Sequence, residues 1–360
     1  MPLRTETDAA EQRLRHLYDA LARDDLSALW LNLANLAPHR PPAYALPRLW
    51  PAATLQARIE QASEAISAED AERRVIVFDN PAMPGRSAVT PSLYAGIQLL
   101  LPGESARSHR HTAAALRLVR SGTGGYTAVD GERVRMAPGD FIVTPSWTYH
   151  DHGNEGDTPV TWLDGLDVHI VNLFGAPFGN LYPGLHQDLT RPEGDAMLRY
   201  GSGVEPVTGA AATNRSIFHW PYTDTRTALM HMRTADPADP ALGYKIRYID
   251  PRTGRGPMAT MDAFMQMLPA GFDGQFHRVT DGTVFSVVEG SGAVEIGDRR
   301  WEFGPHDVFV VPTWSWHRFV SREGAVLFSF SDRALQRHLG LWREERAGHS
   351  LPAPNAPPGV

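Results

Sequence analysis

The 360-residue chain contains no cysteine. This absence excludes disulfide bonds, thiolate metal sites and a cysteine nucleophile, so any bound metal must be held by His, Asp or Glu. The chain also lacks an apolar run of about 18 residues, which argues against a transmembrane helix. Its first residues have no apolar core of the kind that signal peptides carry. We therefore expect a cytoplasmic protein.

Concentrated positive charge is missing as well. The formal net charge is -7, and the 34 basic residues are scattered along the chain. Such a surface gives no electrostatic reason to bind nucleic acid or an anionic membrane. Hydrophobic residues make up 42% and charged residues 21%, which excludes a disordered chain and a coiled-coil rod. Glycine and proline, at 32 and 29 residues, are frequent enough to favour many short strands.

The chain begins with helical patterns and then changes to β patterns. Apolar residues recur at helical spacing over residues 8–36 and 54–69, with a proline-rich break between the two segments. From Arg74 onward, short β-rich runs alternate with Gly, Pro and Asp, as in a sheet sandwich or barrel. Near the end, the run ALQRHLGLWREERAG predicts a helix.

The β-rich region contains an internal repeat. The segment LLPGESARSHRH at 100–111 matches LPAGFDGQFHRV at 268–279, and PGDFIVTPSWTYH at 138–150 matches PHDVFVVPTWSWH at 305–317. The matching histidines are 168 and 167 residues apart, so we infer two copies of one β-domain. The sequence predicts five parts. They are a helical arm for docking or oligomer contact (1–72), a first barrel (73–180), a connection (181–245), a second barrel (246–332), and a C-terminal helix and tail (333–360).

Three histidines of the first copy suggest a metal site. His109 and His111 are two residues apart, so in a strand their side chains point to the same face. His150 lies 39 residues after His111, and a barrel could bring it beside the pair. Three neutral imidazoles would leave a divalent ion with its full charge and with open positions for other ligands. The alternative is an exposed polar strand end with His150 capping a turn.

The spacing around these histidines resembles a known family. The pattern G-x5-H-x-H followed by G-x5-P-x4-H-x3-N is similar to the two motifs of the cupin superfamily; its residues here are Gly103, His109, His111, Gly139, Pro145, His150 and Asn154. The glutamate that usually follows the second histidine is absent, because Ala115 or Leu116 stands there. With the strings SHRHTAAALR, GDFIVTPSWTYHDHGN and TWLDGLDVHIVN, the chain resembles the three-histidine, ring-cleaving bicupins, which include gentisate, salicylate and 1-hydroxy-2-naphthoate dioxygenases.

The resemblance implies a mainly β fold of two tandem cupin barrels, Fe(II) on His109, His111 and His150, and a homotetramer or homodimer. It implies O2 and a small aromatic ortho-hydroxy acid as substrates. Gentisate would be opened between its carboxyl- and hydroxyl-bearing carbons to give maleylpyruvate. Salicylate, a substituted salicylate or 1-hydroxy-2-naphthoate is the alternative substrate. A non-enzymatic bicupin is disfavoured by the intact HxH motif, and a metal-dependent isomerase or decarboxylase by the missing glutamate.

Three charged or titratable residues are candidates for catalysis. If one strand continues from the HxH pair without a bulge, Arg117 shares its inward face, where a substrate carboxylate could satisfy the guanidinium. His152, two residues after His150, is a candidate for acid–base chemistry or for a hydrogen bond to the substrate phenol. Asp164 is expected to orient a pocket His or Arg.

Four further residues are predicted to bind the substrate. The strand YAGIQ places three of them on one face, where the glycine leaves room for a ring and the glutamine can hydrogen-bond an oxygen. The resemblance adds an arginine near the pocket, and the adjacent Arg74 is the alternative for that position. The predicted set is Arg73, Tyr94, Gly96 and Gln98, together with Arg117.

The second copy of the repeat departs from the metal-binding pattern. His277 and His317 match His109 and His150, but Val279 stands where the first copy has its second ligand. Two imidazoles alone make a poor iron site. We therefore expect the second barrel to be structural, with an additional weak metal site as the alternative.

Overall fold

The structure is a computed structural model and describes residues 3–204, 206–207 and 217–351. Residues 1–42 and 43–360 form two compact units. The first unit contains the helices α1 (Leu3–Arg23) and α2 (Leu29–Leu36). The helical pattern predicted over 8–36 is thus broken by a turn, in which Asp25 has a φ of 54°. Trp30 Nε1 donates a hydrogen bond to the Tyr18 hydroxyl over 3.1 Å and connects the two helices.

The second unit begins with the strand β1 (Arg48–Trp50) and the helix α3 (Ala52–Ala65), which ends earlier than the predicted segment 54–69. A first set of strands then forms one barrel: β2 (Val75–Val77), β3 (Tyr94–Leu100), β4 (Ser105–His111), β5 (Ala115–Ser121), β6 (Gly125–Val129), β7 (Glu132–Arg135), β8 (Phe141–Thr144), β9 (His150–Asn154), β10 (Val160–Leu166), β11 (Gly179–Leu181) and β12 (His219–Trp220). Its two sheets have the orders β12-β8-β5-β10-β3-β2 and β11-β4-β9-β6-β7.

A second set of strands forms the other barrel: β13 (Tyr244–Arg247), β14 (Asp262–Leu268), β15 (Phe272–Asp273), β16 (His277–Val279), β17 (Thr283–Gly290), β18 (Gly292–Ile296), β19 (Arg299–Phe303), β20 (Val308–Val311), β21 (His317–Ser321), β22 (Ala325–Ser331) and β23 (Glu344–Arg346). Its sheets have the orders β1-β20-β17-β22-β14-β13 and β19-β18-β21-β16-β23. These orders repeat those of the first barrel, so the prediction of two tandem β-barrels is confirmed.

Four further helices belong to the described residues: α4 (Val168–Leu173), α5 (Asp195–Tyr200), α6 (Tyr222–Ala235) and α7 (Arg333–His338). The prediction of a helix from Ala334 onward is wrong beyond the end of α7, because Glu344–Arg346 form β23, which pairs with β16. The predicted limits of the five parts remain predictions. None of the helices in the described ranges is long and apolar enough to cross a membrane.

The continuous apolar runs of β8 and β20 reflect burial on both faces. In β20, Val308 and Val310 belong to a core shared by the two barrels, while Phe309 and Val311 fill the interior of the second barrel. A strand that alternates between two apolar surroundings needs no polar face. The shared core fixes the barrels against each other, and the sheets of the first barrel position the histidines.

Candidate metal centre

The three histidines predicted as ligands lie together. His109 and His111 are on β4, and His150 begins β9, whose register pairs it with His109. The ring centroids of His109 and His111 are 4.1 Å and 4.9 Å from that of His150. One potential ligand nitrogen from each ring lies within 4.8 Å of the others. Antiparallel pairing of β4 with β9 therefore brings residues from distant parts of the sequence to one point.

Backbone carbonyls hold each of these rings through Nδ1. The acceptors are Arg107 O for His109 (2.8 Å), Ala113 O for His111 (2.7 Å) and Thr148 O for His150 (3.0 Å). A carbonyl only accepts, so each Nδ1 carries the proton and each Nε2 keeps a free lone pair. Three unprotonated nitrogens directed at one point are the donor set that a divalent transition metal needs, so the residues fit the predicted ion.

The surroundings keep these imidazoles neutral. Burial, reinforced by the charge of Arg73, lowers the pKa of His109 to about 3. Burial also lowers the pKa of His111 to about 4 and holds that of His150 well below its ordinary value. Since a protonated imidazole cannot bind a metal, these shifts keep the three rings available as ligands at neutral pH.

Arg117 reaches the pocket by a different path from the one predicted. The strand does not continue from the HxH pair, because β4 ends at His111 and β5 begins at Ala115 in the other sheet. Arg117 is nevertheless buried and donates from Nη1 to the Thr144 hydroxyl over 2.6 Å. Its Nε lies 3.4 Å from Asp164 Oδ1 and makes no hydrogen bond within the described residues. The guanidinium thus keeps donors that a ligand could use.

Asp164 lies between Arg117 and Gly96 in a row that crosses three strands. The register pairs it with Arg117 on β5 and with Gly96 on β3. Burial raises the pKa of Asp164 to about 6, although the positive charge of Arg117 opposes the shift. Trp162 Nε1 donates a hydrogen bond to Asp164 Oδ1 over 3.0 Å. The carboxylate is therefore ionised at neutral pH and forms an ion pair with Arg117, and its role in orienting a pocket His or Arg stays a prediction.

His152 is buried on the same strand as His150, with 5.8 Å between the two ring centroids. Its Nδ1 forms a 2.9 Å hydrogen bond with the Thr127 hydroxyl, and its ring lies 5.5 Å from that of Trp162. Burial, followed by the charge of Arg117, holds its pKa well below the ordinary value. The ring is therefore neutral, and Nε2 is the nitrogen left for a ligand.

The predicted substrate-binding residues occupy β3. Gln98 is buried, and its Nε2 has no hydrogen-bond partner within the described part of the chain. A Cβ added to Gly96 would lie 2.7 Å from Val75 Cγ1 and 3.2 Å from the Tyr94 hydroxyl. Glycine is thus required for the close approach of these neighbours rather than for an open space. Burial, followed by Asp164, raises the pKa of Tyr94, so its hydroxyl stays protonated and can donate.

The two adjacent arginines differ in their contacts. Arg74 is buried away from the histidines, where Nη1 and Nη2 bind both carboxylate oxygens of Glu104 at 3.1 Å and 2.5 Å. The charge of Arg73 instead acts on Asp164 and on the histidine cluster. Arg73 also lines a cavity of about 730 Å³. These interactions favour Arg73 over Arg74, and its place in the substrate pocket stays a prediction.

Three residues that support the site were not found by sequence reasoning: Thr127, Thr144 and Trp162. Trp162 could have been found, because it is two residues before Asp164 in a predicted strand and therefore shares its face. The two threonines hold His152 and Arg117 from other strands, and no local pattern distinguishes them from ordinary strand threonines.

The second barrel repeats only part of this arrangement. The rings of His277 and His317 lie 4.0 Å apart, and Val279 is buried two residues after the first of them. His277 Nδ1 has no hydrogen-bond partner within the described ranges, unlike Nδ1 of His109. Within the described residues, the first barrel has a group of three metal-binding side chains and the second barrel has none.

Comparisons with known proteins agree with this fold. A cupin domain matches residues 96–168 and 263–330, one segment in each barrel. The chain is 43% identical over 343 residues to gentisate 1,2 dioxygenase 1 of Aquipseudomonas alcaligenes, covering 95% of this chain and 99% of that protein. It is 32% identical to a 1-hydroxy-2-naphthoate 1,2-dioxygenase of a Nocardioides species, covering 97% and 93%.

A solved structure shows the same architecture. The crystal structure of salicylate 1,2-dioxygenase from Pseudoaminobacter salicylatoxidans with gentisate has a TM-score of 0.86 and 32% sequence identity to this chain, covering 93% of this chain and 94% of that one. The relatives match along nearly their whole length, and both barrels are shared. The chain therefore belongs to the bicupin family of ring-cleaving 1,2-dioxygenases that includes the gentisate and salicylate 1,2-dioxygenases.

Proposed function

We propose that this chain is an Fe(II)-dependent gentisate 1,2-dioxygenase, which opens the ring between the carboxyl- and hydroxyl-bearing carbons to give maleylpyruvate. The observation that carries the proposal is the convergence of three Nδ1-anchored imidazoles next to a buried arginine with unused donors. The identity of 43% to a gentisate dioxygenase over nearly the full length supports the choice of substrate.

Iron would be held by His109, His111 and His150. When bound, a ferrous ion on three imidazoles supplies an electrophilic centre for the oxygens of an ortho-hydroxy acid and the redox chemistry that O2 requires. No carboxylate belongs to the ligand cluster, so the substrate meets an ion whose positive charge the protein has not neutralised.

Arg117 and Arg73 bind the substrate carboxylate in this proposal. A planar guanidinium matches a carboxylate in shape and charge, and burial strengthens the pairing because water does not compete. Thr144 and Asp164 fix Arg117 from two sides, so little rotational freedom remains to be lost when the substrate binds. Gln98 Nε2 supplies a further donor for a substrate oxygen.

His152 accepts a hydrogen bond from the substrate's hydroxyl group. Burial holds its pKa so low that a lasting imidazolium is disfavoured, so the ring orients the hydroxyl group rather than storing its proton. Thr127 fixes the plane of the ring through Nδ1. The Tyr94 hydroxyl, which burial keeps protonated, is the polar partner for the second ring hydroxyl that distinguishes gentisate from salicylate.

Salicylate, substituted salicylates and 1-hydroxy-2-naphthoate are the alternative substrates. They are favoured by the relatives named for hydroxynaphthoate and 5-aminosalicylate at 32% and 30% identity. All of these acids place a hydroxyl group next to a carboxylate and would use the same metal and the same arginines. They differ in the ring substituent that would lie near the Tyr94 hydroxyl.

Oxygen uptake tests the proposal directly. The protein is loaded with Fe(II) without oxygen and is then given O2 with gentisate, salicylate, 5-aminosalicylate or 1-hydroxy-2-naphthoate. We expect the highest kcat/KM with gentisate and a product that has gained both atoms of labelled O2. His111→Ala should lose iron and turnover, whereas His317→Ala, the loss of a histidine in the second barrel, should keep both. If His111→Ala keeps stoichiometric iron and full activity, the assignment of the metal site to these three histidines is wrong.

A further inference from the structure

A second cavity lies where the two barrels meet, apart from the three-histidine centre. Its volume is about 300 Å³. Leu118 and Arg120 of β5 line it from the first barrel, and Ser286 and Val288 of β17 line it from the second. These residues occupy matching positions of the internal repeat, 168 residues apart. The two copies are thus not identical here, because one contributes an arginine where the other contributes a valine.

Arg120 is a buried cation with an unused donor. Its exposed fraction is 7%, and its Nη2 donates to His306 O over 2.6 Å. Its buried Nε has no hydrogen-bond partner within the described residues, and the negative charge of Asp307 acts on the guanidinium without a direct ion pair. Burial lowers its pKa to about 10, so the guanidinium remains charged at neutral pH. A buried cation without a directly bound counter-ion is costly unless a ligand or ordered solvent satisfies its remaining donors.

The rest of the cavity wall indicates what kind of ligand it suits. The carboxylate of Glu289 is already bound by the Tyr222 hydroxyl (2.7 Å) and by Arg226 Nε (2.9 Å). Ser286 Oγ is buried and has no partner within the described part of the chain. Apolar side chains form much of the remaining wall, among them Leu118 and Val288. The cavity therefore combines one free positive charge, one free hydroxyl and an apolar surface.

We propose that this cavity binds a small monocarboxylate, with its carboxylate on Arg120 and Ser286 and its hydrocarbon part against the apolar wall. A single negative charge matches Arg120, the arginine of the cavity wall that lacks a direct ion pair, and a planar carboxylate matches the guanidinium fork. The volume is at the lower end of the range for small-molecule pockets, which suits an acid the size of benzoate.

Equilibrium dialysis with labelled benzoate tests this site in the full-length protein. Benzoate lacks the ortho hydroxyl group, and metal-free protein is used so that chelation does not contribute. Arg120→Gln should weaken one saturable binding event at least about tenfold, because a charge-assisted hydrogen bond is lost. The exposed Arg58→Gln should bind like the wild type. Arg117→Gln should keep the Arg120 event, so the failure of the proposed function and the failure of this site give different results.

A second variant controls for misfolding of Arg120→Gln. Ser286→Leu fills the cavity but leaves Arg120 in place, and it should also abolish the binding event. The thermal unfolding of each variant is measured beside its dialysis. If folded Arg120→Gln and Ser286→Leu both bind as much benzoate as the wild type, or if the only saturable event is the one that Arg117→Gln removes, the inference is wrong.

Discussion

At the scale of single residues, Arg117 has the clearest separable role. It binds Thr144 and lies beside Asp164 without touching the carbonyl groups that hold the histidines. We expect Arg117→Gln to raise KM for gentisate and lower kcat/KM by about 10- to 100-fold, the cost of a lost charge-assisted contact. Iron content should stay at the wild-type level, because the donor set is intact. Both quantities are measured on one iron-loaded preparation.

Arg107→Gln is a matched control for that variant. Arg107 is an exposed arginine of β4, and its side chain makes a 3.4 Å contact with Tyr182 O. Its loss should change kcat/KM little. A normal kcat/KM in Arg117→Gln, or a loss of iron from it, would contradict the role of Arg117 in substrate binding.

Asp164 should set the acid limb of the activity. Burial raises its pKa to about 6, so the carboxylate is neutralised as the pH falls through 6 rather than near 4. Below that pH, Arg117 loses the counter-charge that orients it, and kcat/KM should decline. The pKa of His109 and that of His111 are about 3 and 4, so these ligands stay unprotonated while Asp164 titrates.

The pH profile of Asp164→Asn checks this assignment. The amide cannot titrate, so kcat/KM should be lower than in the wild type at pH 7 and flat through pH 6. Iron measured at pH 5.5 should remain bound in both proteins. If the variant retains an acid limb near pH 6, another group is responsible.

At the scale of elements, the strand β9 positions two pocket histidines and depends on close packing. A Cβ added to Gly153 would lie 2.4 Å from Cε1 of the Tyr126 ring. Gly153→Ala must therefore displace either the strand or the ring. We expect a loss of about 1–3 kcal/mol in the free energy of unfolding, as is usual for overpacking, together with reduced activity. Denaturant unfolding followed by fluorescence measures the change.

Gly304→Ala is the control for this variant, because nothing lies within 4 Å of the added Cβ and its φ is not in the left-handed region. It should change the free energy of unfolding by no more than about 0.5 kcal/mol. Equal stability of the two variants would mean that Tyr126 moves aside freely and that β9 is not tightly constrained.

Individual strands and turns explain why some features of the fold were predictable from the sequence and others were not. The three ligands were predictable because two share one strand and the third belongs to a repeated motif. The corner between His111 and Ala115 was not, since it contains no Gly or Pro. The residues of β23 have good helix propensity, but pairing with the edge of β16 outweighs that local preference. Tertiary pairing of this kind leaves no local pattern in a single sequence.

At the scale of the whole molecule, the two barrels share one topology, but of the described residues only those of the first barrel form a three-histidine cluster. The row formed by Gly96, Asp164 and Arg117 corresponds in register to Phe264, Ser329 and Phe285. The two phenylalanine rings fill the positions at which the first barrel binds its substrate in our proposal. The second barrel thus stabilises the first through the shared core, and it has no equivalent of the carboxylate-binding arginine.

The number of metal ions bound per chain tests whether only the first barrel binds a metal. The ammonium group of Lys245 lies over the Phe264 ring, 4.7 Å from its centroid, and its charge contributes to the lowered pKa of His277 and that of His317. Burial lowers the pKa of Lys245 to about 7, so only part of its charge is present at neutral pH. Two imidazoles beside a partly charged amine, without a third ligand, make a poor metal site, so we expect one iron per chain. His277→Ala should leave both that value and kcat/KM unchanged, whereas His109→Ala, the matched change in the first barrel, should reduce iron to near zero. Two irons per wild-type chain, with one lost in His277→Ala, would show instead that the second barrel binds a metal despite its missing ligand.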